Sequence, residues 1–552
     1  MKKVIALLLA AMMVIGLAAC GQTPAPAGDE PQQEVQGSDE PVIFRYGLFN
    51  DWMDSKNPYS SSWAISTTVY HSNHYEYLVR LNPALEQEGF LAESWSVSED
   101  GMTWTINVRQ GVQWTDGEAL TADDVVFSYK AVLENELPRF YSEISSITDI
   151  VAVDEYTVEL TTSVPRADYI NMFIMPIVPE HIWNVNETQE DFMNFFDPNL
   201  IGTGPFIFVD ESVDEFVRYK ANDNYWGGRP NIDELIYVFF ANDDIKMQAL
   251  AAGEIDITTI TAAQFDSVSA MEGIETVEYG TLSFTEMGFN MWQDEASKGN
   301  PLIRDVKEIR QAIDYAINYD ELIEFAKGGF ANHEYGLIPS LAKPYAWTPD
   351  ADTMRGFDPQ KGIELLESAG FTTVDGDGIR SNDAGEKLSF RASVIEGSYR
   401  DAALLIQGYC KDIGINLDIT FVDSARQSDI IYEQDFDTDI YFWGWTGDYE
   451  DPGYILSIMT TEQVGGRSDC FYSNPAYDEL FNAQISMVDQ EERIAAVTEM
   501  QEIIYEDCPY LLLYSNANVL AYNGENWEGF IRQPAEFGSI LTMRSLANVS
   551  HK

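Results

Sequence analysis

LAESWSVSEDGMTWTINVRQGVQWTDGEALTADDVVFSYKAVL, residues 91–133, holds two kinds of hydrophobic period in one short span. In Thr103–Val108 the residues Trp104, Ile106 and Val108 alternate, which makes one face apolar and predicts a half-buried strand. Thr121-Ala-Asp-Asp124 then has capping-box spacing, with Asp in the place of the usual Glu, and Val125, Val126 and Tyr129 follow at helical spacing. The same mixture runs down the chain. Phe216–Lys220 reads as a strand, and Asp243–Ala252 as a helix closed by Gly253. Asp305–Asn318 carries Ile309, Ile313 and Ile317 at i, i+4 and i+8, an amphipathic helix. Asp358 and Pro359 supply an N-cap and an N1 proline for a helix that Gly370 stops. Asp401–Ile413 ends at Gly414, and Gln490–Asp507 is a long helix ended by Pro509. The fold class is α/β without a short internal repeat, and 552 residues are enough for two or more domains.

The amino terminus has a different character. Lys2 and Lys3 precede an apolar run, Val4–Gly16, that is too short to span a bilayer stably. Small residues, Ala18 and Ala19, then precede Cys20. Leu17-Ala18-Ala19-Cys20 resembles the lipobox, in which the cysteine is acylated and becomes the first residue. The plainer reading is an ordinary secretory signal with an incidental cysteine. Residues 21–40, rich in Pro, Gln, Gly and acid, lack the bulky apolar residues a core needs and read as a disordered tether. No later stretch is long and apolar enough for a transmembrane helix, so a lipid on Cys20 is the expected anchor.

The chain carries 91 Asp and Glu against 32 Lys and Arg, a formal charge of −59. Loss of residues 1–20, which hold Lys2 and Lys3 and no acid, would make it −61. Phosphate recognition needs clustered cations, so no nucleic-acid partner is expected, and docking on anionic lipid is disfavoured for the same reason. With Cys20 acylated, Cys410, Cys470 and Cys508 allow at most one disulfide. No CxxC or Cys/His metal pattern is present, and His71 and His74 lack the HExxH glutamate. Asp375, Asp377, Asp383 and Glu386 occupy calcium-loop positions 1, 3, 9 and 12, but Ile379 and Arg380 stand where an oxygen ligand and a glycine belong. That stretch reads as a glycine-rich turn, and neither metal nor cofactor is expected.

Several segments, in order, resemble the dipeptide- and oligopeptide-binding extracytoplasmic receptors (family 5) of ABC importers. After residues 91–133 come GTGPFIF at 202–208, NDNYWGGRPNIDELIYVFF at 222–240, ALAAGEIDI at 249–257, FN at 289–290 and IRQAIDYAINYDELI at 309–323. FDPQKGIELLESAGF at 357–371, GWTGDYEDP at 444–452 and CPYLLLYSNANVLAY at 508–522 complete the series, which covers nearly all of 42–545. The resemblance implies a two-lobed clamshell of periplasmic-binding-protein type, in its large three-domain variant. One lobe would comprise 41–80, 196–287 and 516–552, with 81–195 as an inserted subdomain; the other would be 288–515. The chain would cross between lobes near 285–290 and 509–518, where a few hinge residues let rigid lobes close on a ligand.

The resemblance also implies a site. Asp448, within GWTGDYEDP, stands where peptide-binding relatives pair an acid with the ligand's α-ammonium group; the reading from residues alone is a turn acid capping a neighbouring helix. Trp443 and Trp445 share a strand face and suit either the cleft or the core, and Tyr449 adjoins the acid. Asn57, Tyr59 and Ser60, in NPYSSS at 57–62, fall where relatives offer main-chain hydrogen bonds to an extended ligand. Arg426 and Arg467 are candidates by neighbourhood for the ligand's carboxylate.

The expected function is a monomeric, lipid-anchored receptor that delivers short peptides to an ABC permease, at the cell surface or in the periplasm. The same fold serves relatives that bind oligosaccharides or nickel chelates, and a peptide-sensing lipoprotein would differ in partner alone. A secreted hydrolase finds no support, since GxSxG, HExxH and P-loop patterns are all missing.

Overall fold

A computed structural model describes residues 40–49, 55–60, 66–432 and 436–552. The expected signal peptide with Cys20, and the expected tether up to residue 39, lie outside the described residues. Among the described residues no helix is long and apolar enough to cross a membrane.

Local signals act largely as the sequence predicts. Thr103–Val108 is a strand with Trp104, Ile106 and Val108 buried on one face. The helix Ala122–Asn135 begins with a complete capping box, in which Thr121 N donates to Asp124 Oδ2 at 2.9 Å. Gln490–Asp507 is helical between its Asp489 cap and Cys508, which takes a left-handed conformation. The stretch 305–318 departs from expectation. The helix runs only over Lys307–Ala316, and Ile317 is extended, because Asn318 turns its side chain to cap a new helix, Tyr319–Lys327. Ile309, Ile313 and Ile317 are nevertheless all fully buried, so the apolar period reports burial correctly across a helix break.

The main sheet runs in the order Asn416–Val422, Ser389–Ile395, Ile440–Thr446, Ile274–Phe289, Tyr510–Asn523, Ile257–Ile260, Ile43–Phe49, Glu234–Phe240, Phe216–Ala221 and Phe206–Ser212. Parallel pairs occur on both sides, Ile43–Phe49 with Glu234–Phe240 and Ser389–Ile395 with Asn416–Val422. Between them lie two long strands, Ile274–Phe289 and Tyr510–Asn523, paired antiparallel along most of their length with a register break between Gly280 and Phe284. One core gathers side chains from 282–514, another from 44–277 with 520–549, so these two strands serve both. A separate four-stranded antiparallel sheet, in the order Ala92–Val97, Thr103–Val108, Thr157–Thr162 and Ile147–Asp154, has its own core, which also takes in Tyr59, Tyr75 and Leu78.

Candidate functional site

The motif 444–452 leaves the end of the strand Ile440–Thr446, whose register on Ile274–Phe289 sets Trp445 opposite Phe284 and Trp443 opposite Glu286. Ser283 and Thr446 join their hydroxyls at 2.8 Å. Gly444 is required by close approach: a Cβ there would stand 2.8 Å from Phe284 O and 3.2 Å from Tyr399 Oη. Gly447 N then donates to Leu282 O at 3.1 Å, which turns the chain off the sheet and into the loop.

Asp448 stands on that loop with its surface open to solvent while protein surrounds it on most sides. Its pKa is pushed up to about 6, first by burial and then by the negative charges of Glu143 and Asp451. Glu450 is raised by burial too, with Asp448 and Asp451 among its neighbours. Asp451 differs, being 2 % exposed and paired with Arg493 at 2.6 Å. The loop therefore presents two carboxylates, Asp448 and Glu450, that form no ion pair among the described residues.

Trp443 and Trp445 are half-buried, and both pack against the core of 282–514. Trp445 sends its indole N–H to Asp469 Oδ2 at 3.1 Å and lies edge-on to Tyr454. Tyr449 is half-buried, and burial with Glu450 and Tyr279 nearby pushes its pKa up to about 12. Asn57 and Tyr59 turn their side chains inward. Asn57 Nδ2 donates to Phe192 O at 2.6 Å and Phe195 O at 2.9 Å, and its Oδ1 accepts from Tyr59 N at 2.8 Å. Tyr59 is fully buried edge-on to Trp183 and Phe140. Ser60 remains half-buried, its hydroxyl 2.7 Å from that of Ser55. Ligand contact by this turn would therefore run through main-chain atoms or Ser60.

Two concavities lie near the motif, but of its residues only Glu450 lines either; Asp448, Trp445 and Tyr449 line neither, nor does Trp443. One, about 950 Å³, is lined by Tyr77, Arg139, Tyr279 and Glu450, among others. The second, about 790 Å³, is lined by Ser283, Lys327, Phe330 and Asn518. They adjoin where Asn518 Nδ2 donates to Tyr279 Oη at 3.4 Å. Arg426 lines neither cavity and lies 4.0 Å from Asp429 on its own helix. Arg467 is also outside both, its guanidinium over the Tyr454 ring. Lys327 is the cation that the sequence reading missed. It is partly buried over the Tyr514 ring, has no carboxylate in ion-pair reach among the described residues, and burial lowers its pKa. Glu450 was within the quoted motif, whereas Tyr279, Arg139 and Lys327 carry no local signal and meet only through the fold.

Asp375 Oδ1 accepts from Asp377 N and Ile379 N, both at 2.9 Å, and its Oδ2 pairs with Lys387, so its carboxylate closes its own turn. Cys410, Cys470 and Cys508 are buried free thiols.

Comparison with known proteins converges on one family. The bacterial extracellular solute-binding proteins, family 5, middle region, match residues 86–467. Oligopeptide-binding protein AppA of Bacillus subtilis is 26% identical over 470 residues, 83% of this chain and 84% of that protein. Its structure in complex with a nonapeptide superposes with a TM-score of 0.70 at 24% identity, covering 93% of this chain and all of that one. Heme-binding protein A of Haemophilus influenzae is 25% identical over 542 residues, 93% of each chain. NikZ of Campylobacter jejuni, solved with Ni(L-His), gives a TM-score of 0.71 at 22% identity over 92% of this chain and 99% of that one. The chain has the two-lobed α/β fold of these binding proteins, and it belongs to the bacterial extracellular solute-binding proteins of family 5, which bind solutes rather than transform them.

Proposed function

We propose that this protein is a lipid-anchored receptor that captures short peptides by their amino terminus and delivers them to an ABC permease. The carrying observation is Asp448, a solvent-accessible carboxylate with protein on most sides, flanked by Glu143 and Glu450, and without a cation of its own among the described residues. Such a group costs free energy to keep charged, and a ligand ammonium offsets that cost through a charge-assisted hydrogen bond. Lys327, in the adjoining concavity, supplies the opposite charge for a carboxylate. Hydroxyl and amide groups lining the two cavities, from Tyr279, Ser283 and Asn518, suit a peptide backbone. AppA, similar over most of its length, was solved with a nonapeptide, which favours peptide over chelate or sugar.

In this reading the first lobe comprises 41–80, 196–287 and 516–552, carrying 81–195 as a subdomain, and 288–515 forms the second. The separate cores of these pieces support the division. A lipid on Cys20 would hold a monomeric receptor near its permease, outside the cytoplasm, at high effective concentration. Calorimetry with tetra-alanine and its N-acetylated form tests the site: the free amine binds and the acetylated peptide does not. Equal affinities, or tighter binding of Ni(L-His) or cellobiose, would overturn the peptide reading. Loss of the membrane-bound fraction in Cys20→Ser tests the anchor.

A further inference from the structure

Resting on the reading of 447–452 as the ligand loop, we propose that Arg493 is a positioning residue that couples this loop to the inserted segment. Asp448 is then held in place only while residues 166–168 are docked beside Arg493.

The contacts form one continuous path. Asp451 shapes the loop, since its Oδ1 accepts from Gly453 N at 2.7 Å, and its other oxygen pairs with Arg493 Nη1 at 2.6 Å. Arg493, 3 % exposed, also donates from Nε to Gln484 Oε1 at 2.9 Å and from Nη1 to Tyr345 Oη at 3.2 Å. The same Nη1 reaches Ala167 O at 3.4 Å, a residue 326 positions away in the inserted segment. Ala167 N returns a bond to Ile485 O at 2.8 Å, the residue directly after Gln484. The segment is stiffened for this role. Arg166 grips Asp168 with two bonds, at 2.6 and 2.7 Å, and donates to Ser146 Oγ at 2.9 Å.

A buried ion pair is sensitive to what covers it, because water reaching either partner weakens the pair and frees both side chains. The Arg493 Nη2 nitrogen is buried without a hydrogen-bond partner among the described residues, so this cation is already one contact short and depends on those it has. Withdrawal of residues 166–168 removes the Ala167 carbonyl and opens the Asp451–Arg493 pair to solvent. The loop then loses its fixed turn at Asp451, three residues from Asp448. Ligand capture and docking of the inserted segment thus share one node, and each favours the other by the reciprocity of linked equilibria.

Hydrogen exchange on the full chain without added ligand tests this. Ala167→Pro removes the N–H that bonds Ile485, keeps the carbonyl that Arg493 reaches, and leaves both side chains of the Asp451–Arg493 pair in place. Ala167→Cys with Ile485→Cys does the reverse, since a main-chain bond of that length leaves the two Cα atoms within disulfide range. Amides 447–453 are expected to exchange about tenfold faster in Ala167→Pro, and about tenfold slower in the oxidised double variant than in its reduced form. A merely structural Arg493 would leave 447–453 unmoved. Exchange there within twofold of the parent protein, while 166–168 and 484–486 respond, overturns the coupling. If Ala167→Pro fails to fold, the oxidised and reduced comparison decides alone. Because no ligand is present, failure of the peptide reading registers only in the acetylation experiment.

Discussion

The indole N–H of Trp445 bonds Asp469 behind the candidate cleft, and Asp469 in turn accepts the Tyr510 hydroxyl. Glu286, on the long strand Ile274–Phe289, is fully buried beside it. Two carboxyls enclosed together cannot both ionise cheaply, so burial and mutual repulsion raise Glu286 far above its usual range, and burial lifts Asp469 to about 7.

Stability should follow that proton. The folded pKa of Asp469 lies above its unfolded value of roughly 4, so its contribution is fully present below pH ~4 and is lost as pH rises through about 7. The melting temperature of the parent should fall between pH 5 and pH 8 by a few degrees more than that of Asp469→Asn. Parallel profiles in differential scanning calorimetry would remove the pair from consideration.

Ligand binding should run the other way with pH. Asp448 must be ionised to hold an ammonium group, and its pKa in the empty site is about 6. Peptide affinity should therefore weaken as pH drops below about 6 and level off above it. Asp448→Ala should cost roughly ten- to hundredfold at pH 7.5, the worth of one charge-assisted hydrogen bond at ~1.5–3 kcal/mol. Titration calorimetry at pH 5, 6, 7 and 8 reads both effects.

Lys327→Met should weaken peptides with a free carboxylate by about tenfold while leaving their C-terminal amides nearly unchanged. An equal loss for both forms would assign Lys327 to packing on Tyr514 instead.

Gly444→Ala should destabilise the fold by about 1–3 kcal/mol, because its Cβ meets a main-chain oxygen of the neighbouring strand at 2.8 Å. Gly447→Ala should be mild, as the nearest atom would be Ile455 Cγ2 at 4.0 Å. Urea unfolding of the two variants, side by side, checks the contrast.

Asn57→Ala leaves the carbonyls of Phe192 and Phe195 without this donor and should cost about 1–3 kcal/mol of stability. The expected signature is a lower urea midpoint with peptide affinity changed less than stability.

What the sequence made legible was whatever is local. The Thr121 capping box, the helix stops at Gly370 and Gly414 and the strand Thr103–Val108 depend on residues within a few positions of one another. The break after Ala316 was hidden because the isoleucine period continues through it, and the competing signal, the Asn318 cap, sat inside the same stretch. GWTGDYEDP pointed to a loop worth attention, but the partners of Asp448 could not be read. Glu143 lies 305 positions upstream, and its charge acts on Asp448 only in the folded chain. Asn57 and Tyr59 show the opposite limit: a polar turn gives no sign of which way its side chains face until Phe192 and Trp183 are brought against it.

The two long strands that serve both cores are bonded to each other, not merely laid side by side. A pair of independent tethers would let the lobes twist and slide as well as part. A hydrogen-bonded ribbon resists in-plane shear and yields to bending across its face, most easily at the register break between Gly280 and Phe284. In the two-lobed division proposed above, motion between the lobes would be reduced to a rocking about one axis, and every reopening would return the same two surfaces to the same alignment.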